Sequence, residues 1–182
     1  MTDVGDLELV SECLEGNSNA FGTLIDRYQK IVFNTALKMV NDSNDAQDIA
    51  QTVFLKAYEK LDTFNPDYKF FSWIYRMVIN EAINWQKKKK YHKELDHKIV
   101  AIEKTPDRIL DDKELSESLR DAIVELPTDY RVVIIFRHFE DLTYKEMEKV
   151  LKIPEKTVKS RLFTARKLLC DILIKRGIVN ND

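Results

Sequence analysis

The sequence predicts an all-α protein built as two small helical domains joined by a linker. Three observations predict it. Apolar residues recur at spacings of three and four through most of the 182 residues, which is the period of an amphipathic helix. The chain holds only 4 glycines and 4 prolines, too few for a turn-rich β architecture. The periodic stretches also stop at clear breakers, and one of these opens a long, weakly periodic segment.

Leu7, Val10 and Leu14 mark a short first helix, which Asp6 is placed to cap and Gly16 to end. Phe21, Leu24, Ile25, Tyr28, Ile31, Val32, Ala36 and Met39 line one face of a second helix, broken at Asn41-Asp42-Ser43-Asn44. Ala46, Ile49, Val53, Phe54, Ala57 and Leu61 line a third. A turn-rich loop, Asp62-Thr63-Phe64-Asn65-Pro66-Asp67, leads to a long helix from Phe70 to about Lys90. These four helices make the first domain, residues 6–93. Residues 94–112, around Thr105-Pro106, have weak periodicity and mixed charge and read as the linker. Periodicity resumes at Leu115, Leu119, Ile123 and Leu126, stops at Pro127, and opens a second domain over 113–177. Val132 to Phe139 is apolar enough for a strand, but its length, polar ends and helical neighbours favour a buried helix.

Composition narrows the function class. No apolar run approaches the roughly 18 residues that span a bilayer, and Met1-Thr2-Asp3-Val4-Gly5-Asp6 lacks the basic start and apolar stretch of a signal peptide, so the expected location is the cytoplasm. Cys13 and Cys170 lie far apart, each on an apolar helix face, and read as core residues. His92, His97 and His138 have no ligand spacing, and there is no glycine-rich phosphate loop or nucleophile turn, so neither a cofactor, a metal nor an enzyme is expected. His138, on its apolar helix, reads as a structural histidine.

The net charge of -2 conceals a segregation. Residues 1–60 carry five Lys/Arg against ten Asp/Glu, and 94–142 carry seven against thirteen. Residues 61–93 carry seven against three, and 143–176 ten against four. Two basic islands alternate with two acidic ones, a pattern suited to gripping a polyanion at two places while other surface meets a protein.

The second basic island holds a motif. Thr143 and Glu146 have the spacing of a capping box, and Leu142 is placed to staple onto Met147. That helix ends near Leu151, Lys152-Ile153-Pro154 forms a tight connection, and a basic helix begins at Glu155. This is the helix-turn-helix arrangement. At about 100° per residue, Val158, Leu162, Ala165 and Leu169 make the inner stripe of the second helix. Lys156, Lys159, Ser160, Phe163, Thr164 and Lys167 fall opposite, mixing amines for phosphates with hydroxyls and an aromatic for base edges. Arg161 and Arg166 sit on the flanks, better placed for phosphates. The plainer reading is a solvated basic face; the tight turn, the capping box and the outward Phe163 favour DNA.

In the first island, Phe71, Ile74, Tyr75, Val78, Ala82 and Trp85 form one face of the long helix, and Trp73, Arg76, Asn80, Asn84 and Lys87 lie opposite. A tryptophan aligned with a guanidinium and two carboxamides suits stacking on bases and reading their edges. Lys87-Lys88-Lys89-Lys90, with Lys93 beyond, adds phosphate-binding charge. The alternative for Trp73 is packing under the loop 62–69.

Four segments together, Asp45 to Tyr58, Phe71-Ser72-Trp73-Ile74-Tyr75-Arg76, Leu126-Pro127-Thr128-Asp129-Tyr130-Arg131 and Thr157-Val158-Lys159-Ser160-Arg161-Leu162, resemble in order the bacterial RNA polymerase sigma factors. The likeness is to the compact extracytoplasmic-function group, which keeps the second and fourth sigma domains. It implies no catalysis, but promoter choice and strand opening on behalf of core RNA polymerase. Asp45, Asp48, Gln51 and Phe54 fall at positions that dock on the beta-prime subunit; beta is a further implied contact. Phe64, Lys69, Ser72, Trp73, Arg76, Asn80, Asn84, Lys87 and Lys88 match the part that binds the melted minus-ten element. Lys156, Thr157, Lys159, Ser160, Arg161, Phe163 and Arg166 match the helix that reads the minus-thirty-five element. The linker then threads near the RNA exit channel, and an anti-sigma factor is a further implied partner. Asn84, Lys156, Thr164 and Glu148 depart from the residues usual in the family. The competing reading is a stand-alone helix-turn-helix transcriptional regulator, which binds duplex DNA unaided as a dimer on half-sites one helical turn apart.

Overall fold

The computed structural model describes residues 5–95 and 117–179, without the side chains of 90–95 and 117; the rest of the expected linker and Leu115 lie outside the described residues. The helices are α1 (Asp6–Leu14), α2 (Ser18–Val40), α3 (Ser43–Glu59), α4 (Phe70–Leu95), α5 (Glu117–Glu125), α6 (Thr128–His138), α7 (Tyr144–Leu151) and α8 (Glu155–Lys175), with a 3-10 turn at Leu61–Thr63. No described helix is long and apolar enough to cross a membrane.

The breaks work as local chemistry dictates. Gly16 takes φ 104° after α1, where only glycine is unstrained. Asn41 closes α2 in the left-handed region at φ 55°, and the Asp42 carboxylate then accepts the Asp45 N–H at 2.9 Å to start α3. The expected cap of α1 is displaced by one residue. Gly5 holds the cap position, while Asp6 lies in the first turn and its carboxylate accepts from Arg27 and, at 2.5 Å, from the Tyr28 hydroxyl. A carboxylate with a guanidinium in reach gains more from that pair than from one backbone N–H. α4 runs to Leu95, two residues past the expected domain edge.

In the N-terminal half, α2 packs against α1, α3 and α4 over the buried Leu24, Val32, Met39, Ile49, Val53, Ile74 and Val78. The apolar stretch Val132 to Phe136 is helical, and all of it is buried. It is apolar on every side because α8 covers one face and α2 another. The buried residues of the two halves form one continuous core. Cys13 is half-buried and Cys170 is exposed, so Cys170 is not the core residue its helical phase suggests.

Two polar groups, one buried and one half-buried, tie the halves together. The guanidinium of Arg131, 6% exposed, donates to the carbonyls of Met39 at 2.5 Å, Leu126 at 3.0 Å and Val124. Gln86 also donates to the Met39 carbonyl, at 2.7 Å. Burial lowers the Arg131 pKa to about 10, so it remains charged at neutral pH. The second group is Glu140, just after α6. Its carboxylate accepts from Tyr75, from Lys38 at 3.2 Å and from Thr35 at 3.4 Å, all on N-terminal helices. The Tyr75 ring also meets Phe136 edge-on at 5.3 Å. Burial and this carboxylate push the Tyr75 pKa well above the tyrosine range, so it stays a hydroxyl donor.

Replacing Arg131 with alanine takes the guanidinium from the Val124 and Leu126 carbonyls at the end of α5, leaves the Met39 carbonyl to Gln86, and removes three charge-assisted bonds. The expected cost is about 3 kcal/mol or more, a fall in Tm on the order of 6–12 °C for a protein of this size. Thermal unfolding followed by circular dichroism measures it; a fall under 2 °C contradicts the assignment.

Candidate nucleic-acid interface

The loop between α3 and α4 turns on Asn65, whose side chain accepts the Asp67 N–H at 2.9 Å while its carbonyl accepts the Tyr68 N–H at 3.1 Å. This turn lifts Tyr68, 51% exposed, and Lys69 to the rim. Beneath it lies an aromatic cluster. Phe64 and Phe70 are buried, and the half-buried Trp73 meets each at 5.5 Å. Trp73 therefore packs under the loop, the second of the two sequence readings, and offers only part of its ring to the surface. Phe64 and Ser72, which the resemblance sets against the minus-ten element, are 8% exposed and lie below the surface. The reason is the loop itself, which folds back over the start of α4 and covers a face that an isolated helix would expose.

Further along α4, Asn80, Asn84, Lys87 and Lys88 are exposed on the predicted face, with Arg76 half-buried among them. Burial draws the Arg76 pKa down, with the Tyr68 hydroxyl acting against it. Lys89 is engaged by Asp45 of α3 at 2.5 Å. The expectations for Lys90 and Lys93 lie outside the described side chains. On the loop's other side a cleft of about 680 Å³ opens among Tyr28, Pro66, Tyr68, Lys69, Phe71 and Glu146. Lys69 reaches Glu146 of α7 at 3.5 Å across it.

The second surface is α8. Thr143 and Glu146 form the expected capping box, which holds the Glu146 carboxyl below its ordinary range through the Thr143 N–H and hydroxyl, and Leu142 and Met147 are buried beneath it. Lys152 turns the chain at φ 53°, and Pro154 precedes α8 as its cap. Having no side-chain acceptor, Pro154 leaves that role to Glu148, which accepts the Glu155 N–H at 3.2 Å. Val158, Leu162 and Ala165 are buried as predicted, whereas Leu169 is only partly covered. Lys156, Lys159, Ser160, Phe163, Arg166 and Lys167 are exposed, Phe163 at 74%. Thr157 and Arg161 are half-buried. Both flanking arginines lean onto α6: Arg161 pairs with Asp129 at 3.1 Å, and Arg166 donates to His138 at 3.2 Å. His138 is exposed and accepts this bond as neutral imidazole, in place of the interior role its apolar helix suggested. Partial burial and the two nearby arginines hold its pKa below the usual range.

On α3, Asp48 and Gln51 are exposed, Asp45 and Phe54 half-buried. Two residues without a role in the sequence reading extend this face: Leu55 at 67% and Tyr58 at 53% exposure. Both lie off the inner stripe of that helix, a signal a wheel of α3 would have given. Tyr68 was also missed, although an aromatic in a polar turn is unusual.

Residues 24–91 match the Sigma-70 region 2 family model, and residues 116–169 match Sigma-70 region 4. The chain is 32% identical to the RNA polymerase sigma-H factor of Pseudomonas aeruginosa, over 93% of this chain and 94% of that protein. It is 31% identical to the ECF RNA polymerase sigma factor SigW of Bacillus subtilis, over 88% and 92%, and 32% identical to the ECF RNA polymerase sigma-E factor of Escherichia coli, over 90% and 92%. In fold it is similar to CnrH, solved in complex with the cytosolic domain of CnrY (TM-score 0.70, 24% identity, 95% of this chain and 99% of that one). It is similar also to the sigma factor RpoE of Bartonella quintana, solved with the anti-sigma factor NepR (TM-score 0.70, 20% identity, 84% and 96%). Two region models in order, and near one-third identity along almost the whole of these relatives, mean that the chain belongs to the sigma-70 family of RNA polymerase sigma factors, in its extracytoplasmic-function group.

Proposed function

We propose that this chain works without bond chemistry of its own, in the cytoplasm, by docking on core RNA polymerase and reading a promoter at two separate places. The observation that carries the proposal is the pair of exposed cationic helix faces, Asn80 to Lys88 on α4 and Lys156 to Lys167 on α8. The exposed strip of α3, with Asp48, Gln51, Leu55 and Tyr58, supports docking on the beta-prime subunit. The rim residues Tyr68 and Lys69, the edge of Trp73, Arg76, Asn80 and Asn84 take the unpaired minus-ten strand. Phe64, Phe70 and Ser72 act from below by fixing the loop. Lys87 and Lys88 hold adjacent phosphates. Lys156, Lys159, Ser160 and Phe163 read the minus-thirty-five duplex, with Arg161 and Arg166 on its backbone.

Distance requires the molecule to open. Elements named for positions minus ten and minus thirty-five lie about 25 base pairs, or about 85 Å, apart along the duplex. A closed body of this chain length has a radius of gyration of about 16 Å. Both faces reach their elements only when the contacts through Arg131 and Glu140 release. Core polymerase supplies the energy by holding each half separately, and tethering raises the effective concentration of the second DNA contact.

Footprinting with and without core polymerase tests the reading. A monomer that protects promoter DNA only in the presence of core polymerase is expected, and dimeric protection by the free chain contradicts it. Neutralising Lys87 and Lys88 is expected to weaken binding across sequences and to reduce the slope of log K against log salt by about 0.7–0.9 for each lost phosphate contact; an unchanged slope removes both from the interface.

Opening has its own test. Glu140→Ala leaves the Tyr75 hydroxyl and Lys38 without their carboxylate, weakening the closed form by about 2 kcal/mol. If only the open form binds core polymerase, apparent affinity scales with its population. Core polymerase affinity is then expected to rise by up to roughly thirtyfold, as titration of labelled core polymerase measures. Unchanged or weaker binding argues against closure as a restraint.

A further inference from the structure

Lys159 is one of the exposed cations of α8, yet its ammonium is not free. It pairs with Glu155, one turn earlier, at 2.6 Å and lies 5.3 Å from the centre of the Tyr144 ring on α7. The backbone at Glu155 is capped in turn, because its N–H donates to the Glu148 carboxylate at 3.2 Å. Two carboxylates, Glu148 and Glu155, thus stand at the start of the helix proposed to enter the groove. A lone lysine on a flexible four-carbon stem goes to the strongest negative potential, which on DNA is the phosphate backbone. Here those carboxylates repel phosphates from the first turn, and the ammonium is already partnered.

We infer that Glu155 and Lys159 act as one specificity-determining unit, braced by Tyr144, that reads a single G·C base pair in the major groove. In that groove guanine presents two acceptors, N7 and O6, and the paired cytosine presents the N4 amino donor beside them. Lys159 spends one of its three donors on Glu155 and keeps two for guanine. Glu155 keeps lone pairs for cytosine N4. The pair therefore offers donor and acceptor side by side in the order this base pair needs, while an A·T pair sets a thymine methyl against it. The nearly neutral unit also adds little counterion release, so it contributes selectivity more than affinity. Glu155 holds the Lys159 ammonium protonated above its ordinary range, and the Lys159 partner holds the Glu155 carboxyl below its own, so the unit keeps this form at neutral pH.

The inference rests on the proposed role of α8 in upstream recognition, and three variants separate the two. Holoenzyme assembled from the full chain and core polymerase is assayed on a promoter library randomised upstream, across a salt series. Lys159→Ala is expected to lose preference at one G·C position by roughly tenfold, within the range of one base contact. Glu155→Ala is expected to lose preference at the same position and to steepen the salt slope by up to about 0.9, as the freed ammonium takes a phosphate. Glu155→Gln, which keeps the acceptor and the size of the side chain, is expected to retain part of the preference while steepening the slope. If Lys159→Ala alters no upstream preference that the unsubstituted chain shows, the unit is overturned while Ser160 and Phe163 still carry the recognition role of α8; if the unsubstituted chain shows no upstream preference either, that role fails as well. If Lys159→Ala relaxes a position but Glu155→Ala does not relax the same one, or leaves the salt slope unchanged, the unit alone is overturned.

Discussion

A helix ends with carbonyls that have no partner of their own, and two such ends meet at one side chain in this protein. The last turn of α2 presents the Met39 carbonyl and the end of α5 presents those of Val124 and Leu126, and all three accept from Arg131. Helix C-termini also carry partial negative charge. A buried guanidinium is tolerable there without a carboxylate partner, since two dipole ends and three acceptors serve its terminal nitrogens, while its buried Nε has no hydrogen-bond partner among the described residues. Its planar fork reaches acceptors on separate helices at once, which a lysine ammonium cannot match. Where α5 and α6 lie against α2 follows from satisfying these groups. The position of α8, packed across α6, follows in turn.

The same constraint shapes the two surfaces proposed to meet DNA. α6 is buried along Val132 to Phe136, so its ends carry the polar work: Asp129 at the start holds Arg161, and His138 at the end holds Arg166. These contacts fix the flanks of α8 relative to the core while its outer face stays open. On the other side, the aromatic cluster of Phe64, Phe70 and Trp73 turns the loop before α4 into a fixed rim for Tyr68 and Lys69. Both surfaces are thus mounted on rigid supports, which is what reading a base edge requires.

Much of this was legible in the sequence. Period and breakers located the helices, because an amphipathic face and a left-handed stop are local properties; the capping box at Thr143 and Glu146 is a case where four residues suffice. The outward face of α8 followed from its wheel for the same reason. Burial that depends on a distant segment was not legible. Ser72 lies under a loop, so its phase on a helix says little about exposure, and Phe64 within that loop turns inward onto Phe70 and Trp73. Arg131 reads as a surface arginine until the ends of α2 and α5 are brought together in space. Asp6 looked like a cap because its competing partners, Arg27 and Tyr28, lie more than twenty residues away in sequence. The shared core of the two halves is the largest such case, since no local pattern records which apolar face meets which.

On the proposed reading, the ion pairs on the cationic faces help such a surface stay selective. Among the described residues, Lys69 pairs with Glu146, Lys89 with Asp45, Lys159 with Glu155 and Arg161 with Asp129. Exposed pairs of this kind contribute about 0–1 kcal/mol each, so they hold little of the fold together. Their effect falls on binding. A cation already facing a carboxylate gains less from a phosphate than a bare one, and moving to DNA leaves its carboxylate to be hydrated again near a polyanion. The pairs thereby lower the sequence-independent attraction that would otherwise spread the free protein over all DNA. On the proposed reading, what remains is the part of recognition that depends on base edges and on having both surfaces in place together.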